Sequence, residues 1–167
     1  KIILDQKWIQ AIEEAVQKVL SEFDLWEIKA NEDQTNTFRV VASDETIDRD
    51  GETLIAKGCD FSHFLKNPVM FVDHSSWSVG NITAKATNIY VENNQVIIEW
   101  VFTDKTEAGR IANALYNDWF LKAVSVGFFI KKRNDKDSKI IEKWEIYECS
   151  FVSITCNANA ISLDAKM

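Results

Sequence analysis

Three side chains, far apart along the chain, are of the types that acyl-transfer chemistry needs: His74, Ser125 and Glu148. A hydroxyl is a weak nucleophile until a base takes its proton, and an imidazole is the usual base near neutral pH. A carboxylate on the other side of the ring fixes the tautomer and stabilises the cation that forms. In such an arrangement Ser125 is the nucleophile, His74 its base and Glu148 the group that orients the base. Each also has a blander reading. His74 would be an exposed or structural histidine, and Ser125 a buried serine bonded to a carbonyl. Glu148 would face solvent or pair with Lys122, Lys131 or Lys132.

The neighbours of each residue bear on the choice. Ser125 sits in Ala123-Val124-Ser125-Val126-Gly127-Phe128, a β-branched apolar run that reads as a strand. Alternation puts Ala123, Ser125 and Gly127 on one face and Val124, Val126 and Phe128 on the other. Small neighbours leave room for a substrate backbone, and Gly127 allows close approach. His74 follows the apolar run Val69-Met70-Phe71-Val72, where a polar turn begins. Glu148 is the only charge in Ile146-Tyr147-Glu148-Cys149-Ser150-Phe151-Val152. Simple alternation gives it the face of Trp144, Ile146 and Val152, where a carboxylate needs a partner. For an oxyanion, backbone amides near Gly127 or the cations Lys131 and Lys132 are the candidate donors. A thiol enzyme built on Cys149 and His74 is the less favoured alternative, because Cys149 points to the face opposite Glu148. The Gly-x-Ser-x-Gly elbow of the α/β hydrolases is absent.

The elements that must position these residues follow from periodicity. Strands are expected over residues 37–42, 69–72, 79–91, 95–102, 123–128 and 140–155, with Asn93-Asn94 closing a hairpin. Thr103 or Asp104 should cap a helix, since Ala108, Ile111, Ala112, Leu115, Tyr116, Trp119 and Phe120 repeat at helical spacing. A charged turn is expected over residues 131–139. A short helix over residues 59–66 ends before Asn67-Pro68. It would place Cys59 and His63 on one face, too few ligands for zinc. The acidic loop at residues 43–52 lacks the glutamate a calcium loop carries, since its twelfth position from Asp44 is Ile55. It reads as a solvated turn, and neither metal nor cofactor is expected. The sum is an α+β fold: a mainly antiparallel β-barrel or sheet of about six to seven strands with flanking helices.

Residues 5–23 form an amphipathic pattern, with Trp8, Ile9, Ile12, Val16, Val19, Leu20 and Phe23 on one side and Asp5 as N-cap. The expected division is therefore a helix and linker at residues 1–30 and one domain at residues 31–167. The apolar stripe would dock on the domain or on a partner, including a second copy of the chain. The chain of 167 residues carries a formal net charge of −7 with no basic stripe, which argues against nucleic acid as a partner. Three cysteines lack the even framework of a small secreted domain, so a reducing compartment is expected. No apolar run approaches the roughly 20 residues that span a bilayer, so a soluble protein without a membrane partner is expected.

Several short motifs, in order, resemble one family. They are Asp48-Arg49-Asp50-Gly51, then Phe71-Val72-Asp73-His74 with Gly80, then Val124-Ser125-Val126-Gly127-Phe128. Tyr147-Glu148-Cys149-Ser150-Phe151-Val152 and Ala158-Asn159-Ala160 complete the series. From about residue 35 to 163 the chain resembles the prohead, or capsid maturation, serine proteases of HK97-type tailed bacteriophages, which are similar in fold to the herpesvirus assemblins. The resemblance implies a serine endopeptidase with His74 in its apolar-x-His turn, Ser125 in its Ser-x-Gly-Phe strand and Glu148 opening its acidic strand. The third position is the one at which assemblins use a second histidine. The resemblance also implies the substrates: scaffolding segments, the delta region of the major capsid protein, and the protease itself. The place of action would be the immature shell in the bacterial cytoplasm, and a homo-oligomer is compatible with it. A non-catalytic assembly or scaffold domain of the same fold is the alternative. The chain departs from the family in Thr155-Cys156-Asn157-Ala158-Asn159, where a proline is expected before Ala-Asn.

Overall fold

In a computed structural model the chain divides between Asn36 and Thr37. The structure describes residues 37–164. The helix expected over residues 5–23 lies outside the described residues.

The described residues are mostly strand, with one α-helix. The strands are β1 (Phe38–Asp44), β2 (Thr53–Leu54), β3 (Cys59–Asp60), β4 (Val69–Val72), β5 (Ala84–Glu92), β6 (Gln95–Phe102), β7 (Ala123–Arg133) and β8 (Ile140–Val152); the helix is α1 (Glu107–Asn117). The sheet runs β1-β6-β5-β4-β8, and β7 lies on the other edge of β8. Residues 160–163 close most of the remaining gap. On one side Val124 and Ser162 exchange backbone bonds with Ala160 and Lys122, and on the other Val41 and Leu163 do so with Ile161 and Arg39. The result is a nearly closed, barrel-like sheet.

The described residues form eight strands where six or seven are expected, and the sheet is mainly antiparallel as expected but not purely so. The reason lies along one edge of β8, where β2, β3 and β4 pair in parallel, one after another. Residues 53–72 thus form one broken stave, interrupted by 3₁₀ turns at Ala56–Gly58 and Phe64–Lys66. Strands of two residues are too short to show alternation in a sequence. The helix expected over residues 59–66 is replaced for the same reason. Cys59 pairs with Trp144, and Asp60 accepts a bond from the Ser62 amide, an Asx turn that competes with helix. His63 is drawn to Glu145 instead of Cys59.

Local chemistry explains the other elements. Asn93 and Asn94 have φ of 50° and 59°, the backbone of a two-residue hairpin turn that asparagine tolerates. Thr106, not Thr103 or Asp104, caps α1, its hydroxyl accepting from the Gly109 amide at 3.0 Å. α1 stops at Asn117 although the apolar pattern runs on to Phe120, because Trp119 takes a left-handed backbone (φ 67°). The expected strand at 79–91 starts later, at Ala84, after a 3₁₀ turn at Val79–Asn81 that Ser78 caps. The charged turn expected at 131–139 shortens, since β7 continues to Arg133.

The core gathers Trp100, Trp144, Phe151, Met70 and Ile98 inside the barrel. Phe38, Trp100, Tyr116 and Phe151 pack edge-on and Phe102 stacks on Phe151, which fastens α1 over one end of it. The Tyr116 hydroxyl also donates to Asp164 at 2.7 Å and contacts Ser162, holding the closing segment.

At the other end of β1, the buried Asp44 carboxylate collects the Thr46 amide and hydroxyl, Asn157 Nδ2 at 2.9 Å and Asn159 Nδ2 at 2.7 Å. Burial works to raise its pKa, but the bonds from Thr46, Asn159 and Asn157 outweigh it and hold the carboxyl below its ordinary value. A depressed folded value means that the ionised group stabilises the fold above the ordinary carboxyl range, and that this is lost as pH falls through the folded value. Asp44→Ala should therefore lower stability at pH 7 by about 2 kcal/mol, with the gap to the parent narrowing below about pH 4. Urea midpoints at pH 7 and pH 3 check this; an equal gap at both would show that the charge is not what holds the turn.

Candidate active site

β8 lies between β7 and β4, and the three candidate residues come from these three neighbours. Adjacent strands are about 4.8 Å apart, so a histidine on β4 would be too far from a serine on β7 if it pointed straight out. A tight turn solves this. Val72 O accepts from the Ser75 amide at 2.9 Å, and Asp73 and His74 between them have φ of 50° and 56°. This is the backbone of a type I′ turn, in a region where Asp and His are among the more tolerant residues. It folds His74 back over β8, where Nδ1 lies 2.5 Å from Glu148 Oε1.

Glu148 reaches that position through a bulge. Gly127 pairs with Glu148 and Phe128 with Ile146, so Tyr147 is an extra residue on β8. Before it, Trp144 and Ile146 face the core; after it, Cys149 and Phe151 do. Glu148 is therefore turned away from the core face that simple alternation assigned to it. Its side chain is only 4% exposed, yet both oxygens are used: Oε1 by His74 and Oε2 by the Ser150 hydroxyl at 2.7 Å. None of Lys122, Lys131 and Lys132 pairs with it. A carboxylate accepts only, so Nδ1 carries a proton, and in the neutral ring Nε2 is the acceptor. The His74 side chain is 47% exposed, so that nitrogen has access to a ligand.

Gly127 has a role here that differs from the expected backbone donor. A Cβ at this position would lie 2.5 Å from Glu148 Oε1 and 2.7 Å from the Tyr147 ring. The missing side chain is the space in which the carboxylate turns toward the imidazole.

Ser125, His74, Gly127 and Tyr147 line one open cleft of about 390 Å³, which extends past Val126 and Phe128 to Asp48, Asp50, Thr155, Cys156 and Asn157. Among the described residues the Ser125 hydroxyl has no hydrogen-bond partner, so it is not a serine tied to a carbonyl, and its bond to His74 is not formed. In free enzymes this contact is often long and closes when substrate binds. The structure thus forms the Glu148–His74 half of a relay and places the serine in the same cleft.

Lys131 and Lys132 do not line the cleft. β7 carries them onward as strand, where Lys131 pairs with Glu145 at 2.6 Å and Lys132 with Glu142 at 2.5 Å. Charge neighbours on β8 claim them, and an oxyanion role for either is corrected accordingly. Cys149 is fully buried in the core, and its thiol is raised well above the ordinary range by burial and by Glu148. It is thus shut off from His74 as a nucleophile.

Two groups were missed by sequence reasoning. Ser150, the second partner of Glu148, is visible in principle as Glu-x-Ser on one face of a strand. The acidic end of the cleft forms because the Arg49 guanidinium grips the Thr155 carbonyl and the Arg49 amide bonds Cys156 O at 3.1 Å. Asp48, Asp50 and Cys156 thereby converge to within 4.8 Å. Burial raises the Cys156 thiol, which donates to Asp50 at 3.4 Å.

No protein-family model, curated protein or solved structure matches the chain.

Gly127→Ala should displace Glu148 from His74 without unfolding the barrel. The check is the proton NMR signal of the His74 Nδ1–H, strongly deshielded in the parent and moved upfield in the variant; an unmoved signal would show that the cleft absorbs the methyl group elsewhere.

Proposed function

We propose that this protein is a serine endopeptidase of the prohead-protease kind, acting on capsid and scaffolding precursors. One observation carries the reading. A buried carboxylate orients the half-exposed His74, and an unengaged Ser125 hydroxyl lines the same cleft. The barrel-like sheet is compatible with an assemblin-like fold, and the order of the sequence motifs supports the phage assignment.

In the reaction, Nε2 of His74 takes the Ser125 proton as Oγ attacks a peptide carbonyl, and the carbonyl π pair moves onto oxygen. The tetrahedral species collapses, the C–N bond breaks, and His74 returns the proton to the leaving amine. Water, activated by the same nitrogen, then hydrolyses the acyl-serine. Glu148 stays bonded to Nδ1 throughout and stabilises the imidazolium. Its burial strengthens that interaction relative to the same pair in water. The remaining parts of the proposal are the chain itself as a further substrate, action inside the immature shell in the host cytoplasm, and self-association.

Cleavage of a capsid precursor, or of the chain itself, tests this. The parent should cut, and Ser125→Ala should not, at an unchanged melting temperature. Glu148→Gln should lose on the order of 10³–10⁴ in turnover. Equal cleavage by the parent and Ser125→Ala would overturn the assignment, and a parent inert toward every precursor would favour the assembly-domain alternative.

A further inference from the structure

We infer that the far end of the cleft is a subsite for a basic side chain, lysine or arginine, of the peptide whose carbonyl meets Ser125. The inference rests on the serine-peptidase reading and goes beyond it by assigning specificity.

The cleft is chemically lopsided. Its lining holds the carboxylates of Asp48 and Asp50 but neither lysine nor arginine, and its one imidazole is engaged by Glu148. Arg49, which lies between the two aspartates in sequence, is directed onto the carbonyls of Thr155 and Cys156, not onto either carboxylate. The aspartates are held in place. Asp48 Oδ1 accepts the amides of Asp50 and Glu52 at 3.0 and 2.9 Å, and Asp50 Oδ2 takes the Cys156 thiol. One oxygen of each carboxylate remains without a partner among the described residues.

An independent observation comes from Thr155. It lines the same cleft and is only 6% exposed, yet its Oγ1 is buried without any hydrogen bond among the described residues. Buried hydroxyls are nearly always satisfied, so an orphan beside a cleft marks a place where a ligand supplies the partner. An ammonium or guanidinium group satisfies all three at once, since it offers several donors and no acceptor. It would donate to Asp48, Asp50 and Thr155 Oγ1. A substrate glutamate there would face two like charges. An apolar residue would leave Thr155 unpaired.

The test uses the full chain and internally quenched peptides in which Lys, Arg, norleucine, Gln and Glu are scanned through four positions on each side of the scissile bond. In parallel, Ser125 is titrated with a neutral diphenyl phosphonate. Expected are phosphonate labelling of Ser125 and a preference for Lys or Arg at one position. In Asp50→Asn and Asp48→Asn, the ratio of kcat/KM for the Lys over the norleucine peptide should fall about tenfold or more. Asn keeps the oxygen that accepts the loop amides, and melting temperatures confirm that the loop holds. Labelling of Ser125 with no basic preference, or with a preference unchanged in both variants, overturns the subsite and leaves the peptidase reading intact. Absence of both labelling and cleavage overturns the peptidase reading and the subsite with it.

Discussion

A carboxylate buried to this degree is unstable unless its oxygens are occupied. At Glu148 the occupants are an imidazole and a serine hydroxyl, and much of the surrounding structure serves to bring them there. The Tyr147 bulge turns the side chain off the core face. Gly127, directly across on β7, leaves the volume into which it turns. The left-handed pair Asp73-His74 brings the ring back across β8. Removing any one of these would leave a carboxylate in an apolar sheet without its partner, which is a reason for a stable fold to keep them together.

The same strand sets the spacing of the site's residues. β8, thirteen residues long, is bonded on one edge by β7 and on the other by the broken stave of β2, β3 and β4. Ser125 on β7, Glu148 on β8 and His74 just after β4 are thereby held at set spacings, the preorganisation that the proposed chemistry would rely on. The opposite wall of the cleft is held separately. Asp44 ties the 155–159 turn to β1, and Arg49 ties the acidic loop to that turn. Ser125 and the acidic end of the cleft therefore stand on different supports.

What could be read from the sequence was what depends on local pattern. The His74 turn after an apolar run, the small-residue face around Ser125, the Asn93-Asn94 hairpin and the α1 stripe each arise from spacing of two or three to four residues. What escaped depends on pairing between distant segments. A bulge has no sequence period, so Glu148 was assigned the face of Trp144 and Ile146. Strands of two residues carry no alternation, so the parallel stave beside β8 was invisible, although the mainly antiparallel character of the rest of the sheet was legible. Lys131 and Lys132 read as oxyanion donors or partners of Glu148 because their actual partners, Glu145 and Glu142, sit on the facing strand across a turn. Thr155 gave no signal at all, since an unpaired hydroxyl is recognisable only once its surroundings are known.

The most direct measurement of the central claim is an active-site titration with an activated ester, followed by peptide mapping of the acylated chain. A burst approaching one equivalent, with the acyl group on Ser125 and no burst in His74→Ala, is the predicted result. Steady hydrolysis without a burst, or an acyl group carried by Cys156 or a lysine, would contradict it.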